Sequence, residues 1–219
     1  MNSHKPHVEA FVVFAGIAAA VKGLKLIFAG PHEWIYQSVA PALFLAVPAF
    51  VLLSRKTDPA VFTGLTKNKI LQGIKVGLVC AVVILPLFVV GYWVFHGLIL
   101  GRKIHFHIGP NVGMIFLRQF FVVAFPEEFL FRGYIQGRLD QRWNSGKSVF
   151  GGKVGPALIV AAALFALGHF ITKPMLFRFG TFFPALLFGW IKERSGSVAG
   201  PILFHALANV TIFILEGSV

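Results

Sequence analysis

The amino-acid sequence predicts an all-α fold, a polytopic transmembrane helical bundle. Two features of composition and one of pattern lead there. Of 219 residues, 57% are hydrophobic and 13% are charged, whereas a soluble domain lies nearer half apolar and about a quarter charged. Mean hydropathy is +0.79. The apolar residues are gathered into runs near the ~20 that a helix needs to cross a bilayer, and about seven of them (six to eight) fit the length. No internal repeat or low-complexity segment interrupts them. A single transmembrane domain over 1–219 is expected.

The elements follow in order. The first run is 8–29, with Lys22 and Lys25 able to snorkel from its end. The small run Ala18-Ala19-Ala20 is also signal-peptide-like. Apolar residues resume after the lysines and no soluble domain follows, so an uncleaved first helix is expected. The second run, 34–53, is uncharged, with Trp34 and Tyr36 at one interface and Pro41 and Pro48 inside as expected kinks. A polar loop over 54–69 precedes a run over 70–100. That run is longer than a span requires, so a tilt, or a break near Pro86 or Gly91, is expected. After a loop over 101–111, the fourth span starts near Val112, reads into Pro126-Glu127-Glu128 and continues through Leu139. A polar, basic loop follows over 140–153. Further spans are expected over 156–172, 175–191 (closed by Lys192, Glu193 and Arg194) and 198–215. Gly196, between Ser195 and Ser197, reads as a turn.

Net charge is +12, from 20 Lys and Arg against 8 Asp and Glu. No solvated segment interleaves basic and aromatic residues, so no nucleic-acid partner is expected. Basic loops facing the cytoplasm and anionic headgroups account for the charge, which makes membrane lipid the partner. With seven alternating spans, loops 54–69, 138–153 and 192–194 share one side. The positive-inside bias makes that side, and the N-terminus, cytoplasmic. Arg102, Lys103 and Lys173 fall on the other side. The single cysteine, Cys80, sits in an apolar run and reads as a small buried hydrophobe.

Against this background Glu127 and Glu128 are out of place. An ionised carboxylate in a bilayer costs a few kcal/mol or more, so such groups face a bundle interior or wet cavity and mark function. Glu128 and Arg132 stand at i,i+4 and can pair on one helix face. Glu127 is rotated by about 100° and free to point elsewhere. An unpaired carboxylate in a low-dielectric site suits general-base work. The bland alternative is a salt-bridged helix start after Pro126.

His169 and His205 lie in two further uncharged spans. Asn209 is at i+4 from His205, so both project from one face, and an Asn amide can donate to an oxyanion. Singly, each reads as an interhelical hydrogen-bond partner. His105 and His107 are a poor metal pair without a nearby carboxylate, and His96 lies at a helix end. No His-Glu-x-x-His, Walker or Gly-x-Ser-x-Gly pattern occurs.

Three motifs now stand in order: Glu127-Glu128-Phe129-Leu130-Phe131-Arg132 followed by Gly133, Phe165-Ala166-Leu167-Gly168-His169, and His205-Ala206-Leu207-Ala208-Asn209. Together they resemble those of the CAAX-protease and bacteriocin-processing (CPBP) family of intramembrane proteases. The resemblance covers about 127–209. It implies a bundle around a water-filled cavity and an endopeptidase acting on a membrane-anchored protein or peptide substrate, near its C-terminus or anchor. Carried over, Glu127 and His169 activate a water, His205 and Asn209 hold the oxyanion, and Glu128–Arg132 is a structural pair. The glutamic form needs no cofactor. A zinc-dependent version would use Glu127, His169 and His205 as ligands. A short chain of this kind fits an integral protein of a prokaryotic inner (plasma) membrane. Substrate remains open among prenylated C-terminal tripeptides, bacteriocin leaders and C-terminal sorting signals. The competing readings are a non-catalytic scaffold or immunity protein, and a proton-coupled transporter, which predicts inverted repeats that the sequence does not show.

Overall fold

Proline and glycine set many of the helix ends. Pro6 occupies the first turn of α1 (Pro6–Ile27), with Glu9 in that turn and Lys25 in the last, as the helix dipole favours. These come from the computed structural model of the protein, which describes residues 5–103 and 108–217. The residues His105 and His107, weighed above as metal ligands, lie outside the described residues. α2 (Glu33–Ser54) continues without a break past Pro41 and Pro48. Asp58 caps a short helix, α3 (Pro59–Thr63), accepting from the Ala60 amide at 2.8 Å, and Gly64 ends it with φ 73°.

α4 (Lys67–Trp93) does not break at Pro86 or Gly91. It loosens only beyond Trp93, into a π-helical turn over Val94–Ile99. A proline removes one backbone donor, and a membrane helix tolerates that. The fourth expected span is one helical rod over 112–140, called α5. Regular segments Val112–Arg118, Phe125–Glu128 and Gln136–Asp140 alternate with π-helical stretches Gln119–Ala124 and Phe129–Ile135. The expectation of an ordinary helix misses both stretches.

The loop after α5 holds a feature the sequence did not suggest, a hairpin of β1 (Lys147–Val149) and β2 (Gly152–Val154), paired Lys147↔Val154 and Val149↔Gly152. Its two-residue turn places Phe150 at φ 48° and Gly151 at φ 78°, the mirror-image geometry that matches strand twist. Trp190 fastens it, donating from Nε1 to the Val149 carbonyl at 2.7 Å. α6 (Pro156–Thr172) follows. The span expected at 175–191 is shifted: 3-10 turns over Leu176–Thr181 lead into α7 (Phe182–Ser195), so Lys192 and Arg194 lie in its last turn. Gly196, at φ 70°, makes the expected turn into α8 (Ala199–Glu216).

Among the described residues seven long helices form the bundle. By length and composition Pro6–Ile27, Gly30–Ser54, Pro59–Ile99 and Ala199–Glu216 can each cross a membrane, and Pro156–Thr172 is a shorter apolar helix. α8 packs along α4 through small residues: a Cβ on Gly77 would stand 2.6 Å from the Gly200 carbonyl oxygen. The basic segments gather at one end. There α3 abuts Gly133 and Gly137 of α5, Glu9 pairs with Arg55 (3.2 Å) and Arg138 (3.0 Å), and Lys153 pairs with Asp140 (2.7 Å). At the opposite end Lys25 donates to the Thr172 carbonyl at 2.9 Å, tying α1 to α6.

Candidate active site

The middle of α5 carries the two acids, and the structure gives them different surroundings. Glu128 is fully buried. Its Oε1 accepts from Arg132 Nη1 at 2.9 Å, the i,i+4 pair that helix geometry suggests. The same oxygen lies 2.8 Å from His205 Nδ1 on α8. A carboxylate only accepts, so Nδ1 carries the proton and the imidazole is held in one orientation. Glu128 is therefore more than the partner of Arg132: it joins α5 to α8. Arg132, 1% exposed, also donates to the Ala185 carbonyl of α7 at 3.2 Å. Its guanidinium lies 4.3 Å from the Phe165 ring and 5.0 Å from the Phe188 ring. Phe188 in turn stacks on His205, with centroids 4.7 Å apart and planes at 22°. Glu128 and the rings of Phe188 and Phe165 thus bound the imidazole on three sides.

Glu127 points elsewhere. It lines a cavity of about 100 Å³ together with Phe14, Leu130, Phe131, His169 and Thr172, enough for several waters. Its side chain is 18% exposed, and its Oε2 is buried without a hydrogen-bond partner among the described residues. The same oxygen stands 3.9 Å from His205 Nε2. His169 shares the cavity, and its Nδ1 lies 3.0 Å from the Phe165 carbonyl, one turn earlier in α6. A carbonyl accepts, so Nδ1 again carries the proton. In the neutral ring that leaves Nε2 as the proton-accepting atom.

Asn209 is placed differently. Its amide donates from Nδ2 to Gln119 Oε1 on α5 at 2.9 Å, one turn beyond His205. Three helices therefore bring Glu127, His169 and His205 around one region, while the amide of Asn209 is engaged with Gln119. Among the described residues no group of three His, Cys, Asp or Glu side chains lies close enough to hold a metal ion. The donor set Glu127, His169 and His205 is not such a group, so its arrangement among the described residues does not fit zinc.

Sequence reasoning missed Phe188 and Gln119. Phe188 is one of 25 phenylalanines and carries no distinguishing signal. Gln119 is a polar residue between Arg118 and Phe120 in an apolar run, a signal that could have been read.

With this geometry in hand, comparison with known families is informative. Residues 109–211 match the family model of type II CAAX prenyl endopeptidases, described as Rce1-like. This segment, a little under half of the chain, is similar to the CAAX-protease family of intramembrane endopeptidases. The match starts just before α5 and ends within α8, so it takes in both glutamates, both histidines and Asn209. α1 to α4 lie outside the CAAX-protease segment, yet Phe14 of α1 and Phe44 of α2 complete the cavity wall. No curated protein and no solved structure matches the chain.

Proposed function

We propose that the protein hydrolyses a peptide bond near the C-terminus or membrane anchor of a substrate by a glutamate-activated water, without a metal. One observation carries the reading. The buried Oε2 of Glu127 has no hydrogen-bond partner in a cavity that it shares with His169. A buried, unpartnered carboxylate oxygen is costly unless the site uses it.

The chemistry follows from the atoms. A water bound between Glu127 and His169 Nε2 loses a proton to Glu127 as its oxygen adds to the scissile carbonyl carbon. The carbonyl π bond becomes an oxyanion. His205, held through Nδ1 by Glu128, turns Nε2 toward it and donates when that nitrogen carries a proton, with Asn209 as the second donor once its amide leaves Gln119. Collapse of the tetrahedral intermediate breaks the C–N bond, and the proton held by Glu127 passes to the leaving amine. The whole chain acts as one transmembrane unit with its catalytic core at about 112–215. The gathering of basic loops at one end supports a cytoplasmic face there, in a prokaryotic inner membrane, with the N-terminus inside.

Glu127→Gln tests the proposal, because it keeps shape and removes the base. Release of the C-terminal tripeptide from a prenylated reporter, and processing of a membrane-anchored substrate, should both fall on the order of 10²- to 10⁴-fold. Wild-type processing by that variant would remove Glu127 as the base, and absence of processing by the wild type would favour the scaffold or immunity reading.

A further inference from the structure

A second, more open recess of about 380 Å³ adjoins the cavity and shares Glu127 with it. Its walls are Val21 of α1, Tyr36, Gln37, Pro41 and Phe44 of α2, and Arg118, Val122 and Val123 of α5. It lies at the end of the bundle remote from the basic loops, beside the Lys25–Thr172 link. Arg118 is exposed, and among the described residues no carboxylate pairs with it. A charged residue in a membrane helix that faces a groove and lacks a counterion is a candidate for ligand binding.

Helix geometry makes its position informative. Arg118 and Glu127 are nine residues apart, so on a regular helix they would stand roughly two and a half turns apart, on opposite faces. The stretch between them is not regular. The π-helical stretch Gln119–Ala124 uses extra residues per turn and shifts the phase. As a result Arg118, Val122, Val123 and Glu127 all line one groove. The widened helix, with its poorer hydrogen-bond geometry, thus puts a guanidinium and the candidate base at the two ends of one channel.

We propose that Arg118 binds the free C-terminal carboxylate of the peptide substrate. This rests on the assignment of Glu127 as the base. Nine residues of helix rise about 14 Å, less the reach of the arginine, and an extended peptide advances about 3.3 Å per residue. Roughly two to four residues therefore lie between the scissile bond and the carboxylate. The walls, chiefly Val21, Pro41, Phe44, Val122 and Val123, require those residues to be apolar. A guanidinium recognises a carboxylate in a bidentate fork that an ammonium or an amide does not reproduce. Substrates would then be read from their C-terminal end and enter from the side remote from the basic loops.

The test uses binding, so that it stands apart from catalysis. N-acetyl-Val-Ile-Phe as free acid and as C-terminal amide is titrated calorimetrically into the full-length Glu127→Gln protein. This is done in a phosphate-free sugar detergent and in phosphatidylcholine nanodiscs. The acid should bind about 10- to 100-fold tighter than the amide in both, the scale of one charge-assisted contact. Arg118→Gln in the same background should abolish the preference and Arg118→Lys should keep part of it, with unliganded melting temperatures unchanged. Equal binding of acid and amide, or a preference surviving Arg118→Gln, overturns the proposal. So does a preference that vanishes in phosphatidylcholine, which assigns Arg118 to lipid phosphate. Turnover by Glu127→Gln would instead refute the base assignment, whatever the binding result.

Discussion

Glu128 links two partners, and removing them in different combinations separates folding from catalysis. In Glu128→Gln, Arg132 keeps its charge at 1% exposure and loses its 2.9 Å counterion. The Ala185 carbonyl and two aromatic faces remain, but none is a full negative charge. Breaking a buried pair from one side costs about 3–5 kcal/mol, and Arg132→Met should cost less than this because Glu128 keeps His205 Nδ1 at 2.8 Å. Replacing both, as Glu128→Leu with Arg132→Met, leaves no buried charge at either position. Such apolar exchanges are often neutral or stabilising, so the double variant should recover to within about 1–2 kcal/mol of the wild type. Activity should not recover. His205 Nδ1 loses its 2.8 Å acceptor in the double variant, whereas Glu128→Gln keeps an amide oxygen there and loses only the charge. The loss of one charge-assisted bond, about 1.5–3 kcal/mol, corresponds to roughly 10- to 150-fold in kcat/KM. Unfolding followed by near-UV circular dichroism in micelles gives the stability ranking, and cleavage of a prenylated reporter gives kcat/KM. If the double variant regains activity together with stability, Glu128 is only a fold-stabilising pair and the orienting role is wrong. If the single variants are as stable as the wild type, the argument from burial fails as well.

Three further outcomes follow. Gly77→Val should destabilise by about 1–3 kcal/mol or more, because a Cβ there meets the Gly200 carbonyl oxygen at 2.6 Å and forces α4 from α8; thermal unfolding checks it. Dialysis against a chelator should leave reporter cleavage unchanged and elemental analysis should find no stoichiometric metal; loss of both together would overturn the metal-free mechanism. At the basic end of the bundle, burial holds the Asp140 carboxyl above its ordinary range, with the charge of Glu193 adding to it and Lys153 opposing. An acid raised on folding costs stability once ionised, so its contribution improves as pH falls through its folded pKa, above the ordinary value of 3.8. Glu193 behaves oppositely: burial pushes it up, but Lys192 and its other neighbours outweigh this and lower it, so its contribution is lost only as pH falls below 4.5. Asp140→Asn should flatten the part of the stability–pH curve above the ordinary Asp range and leave the lower limb in place; denaturant midpoints between pH 4 and 8 read this.

The sequence by itself determined the class of fold and singled out the candidate site residues. Apolar runs of membrane length require helices, because a bilayer satisfies no backbone hydrogen bonds. Two acids and two histidines in such runs are costly enough to single themselves out. The spacing of Glu128 and Arg132 gave their pairing, since four residues is one helical turn. Local pattern did not reach further. The shift of α7, the hairpin on Trp190 and the intact α4 depend on what each segment packs against. The π-helical stretches that set the phase of α5 depend on its neighbours as well, because the 3.6-residue period is all that sequence reasoning can assume. Above all, only the assembled bundle showed that Glu128, read along the chain as the partner of Arg132, also holds His205 from a helix 77 residues away. The two acids that the sequence marked as one anomaly have separate surroundings, and the packing of α5 against α8 and α6 is what divides them.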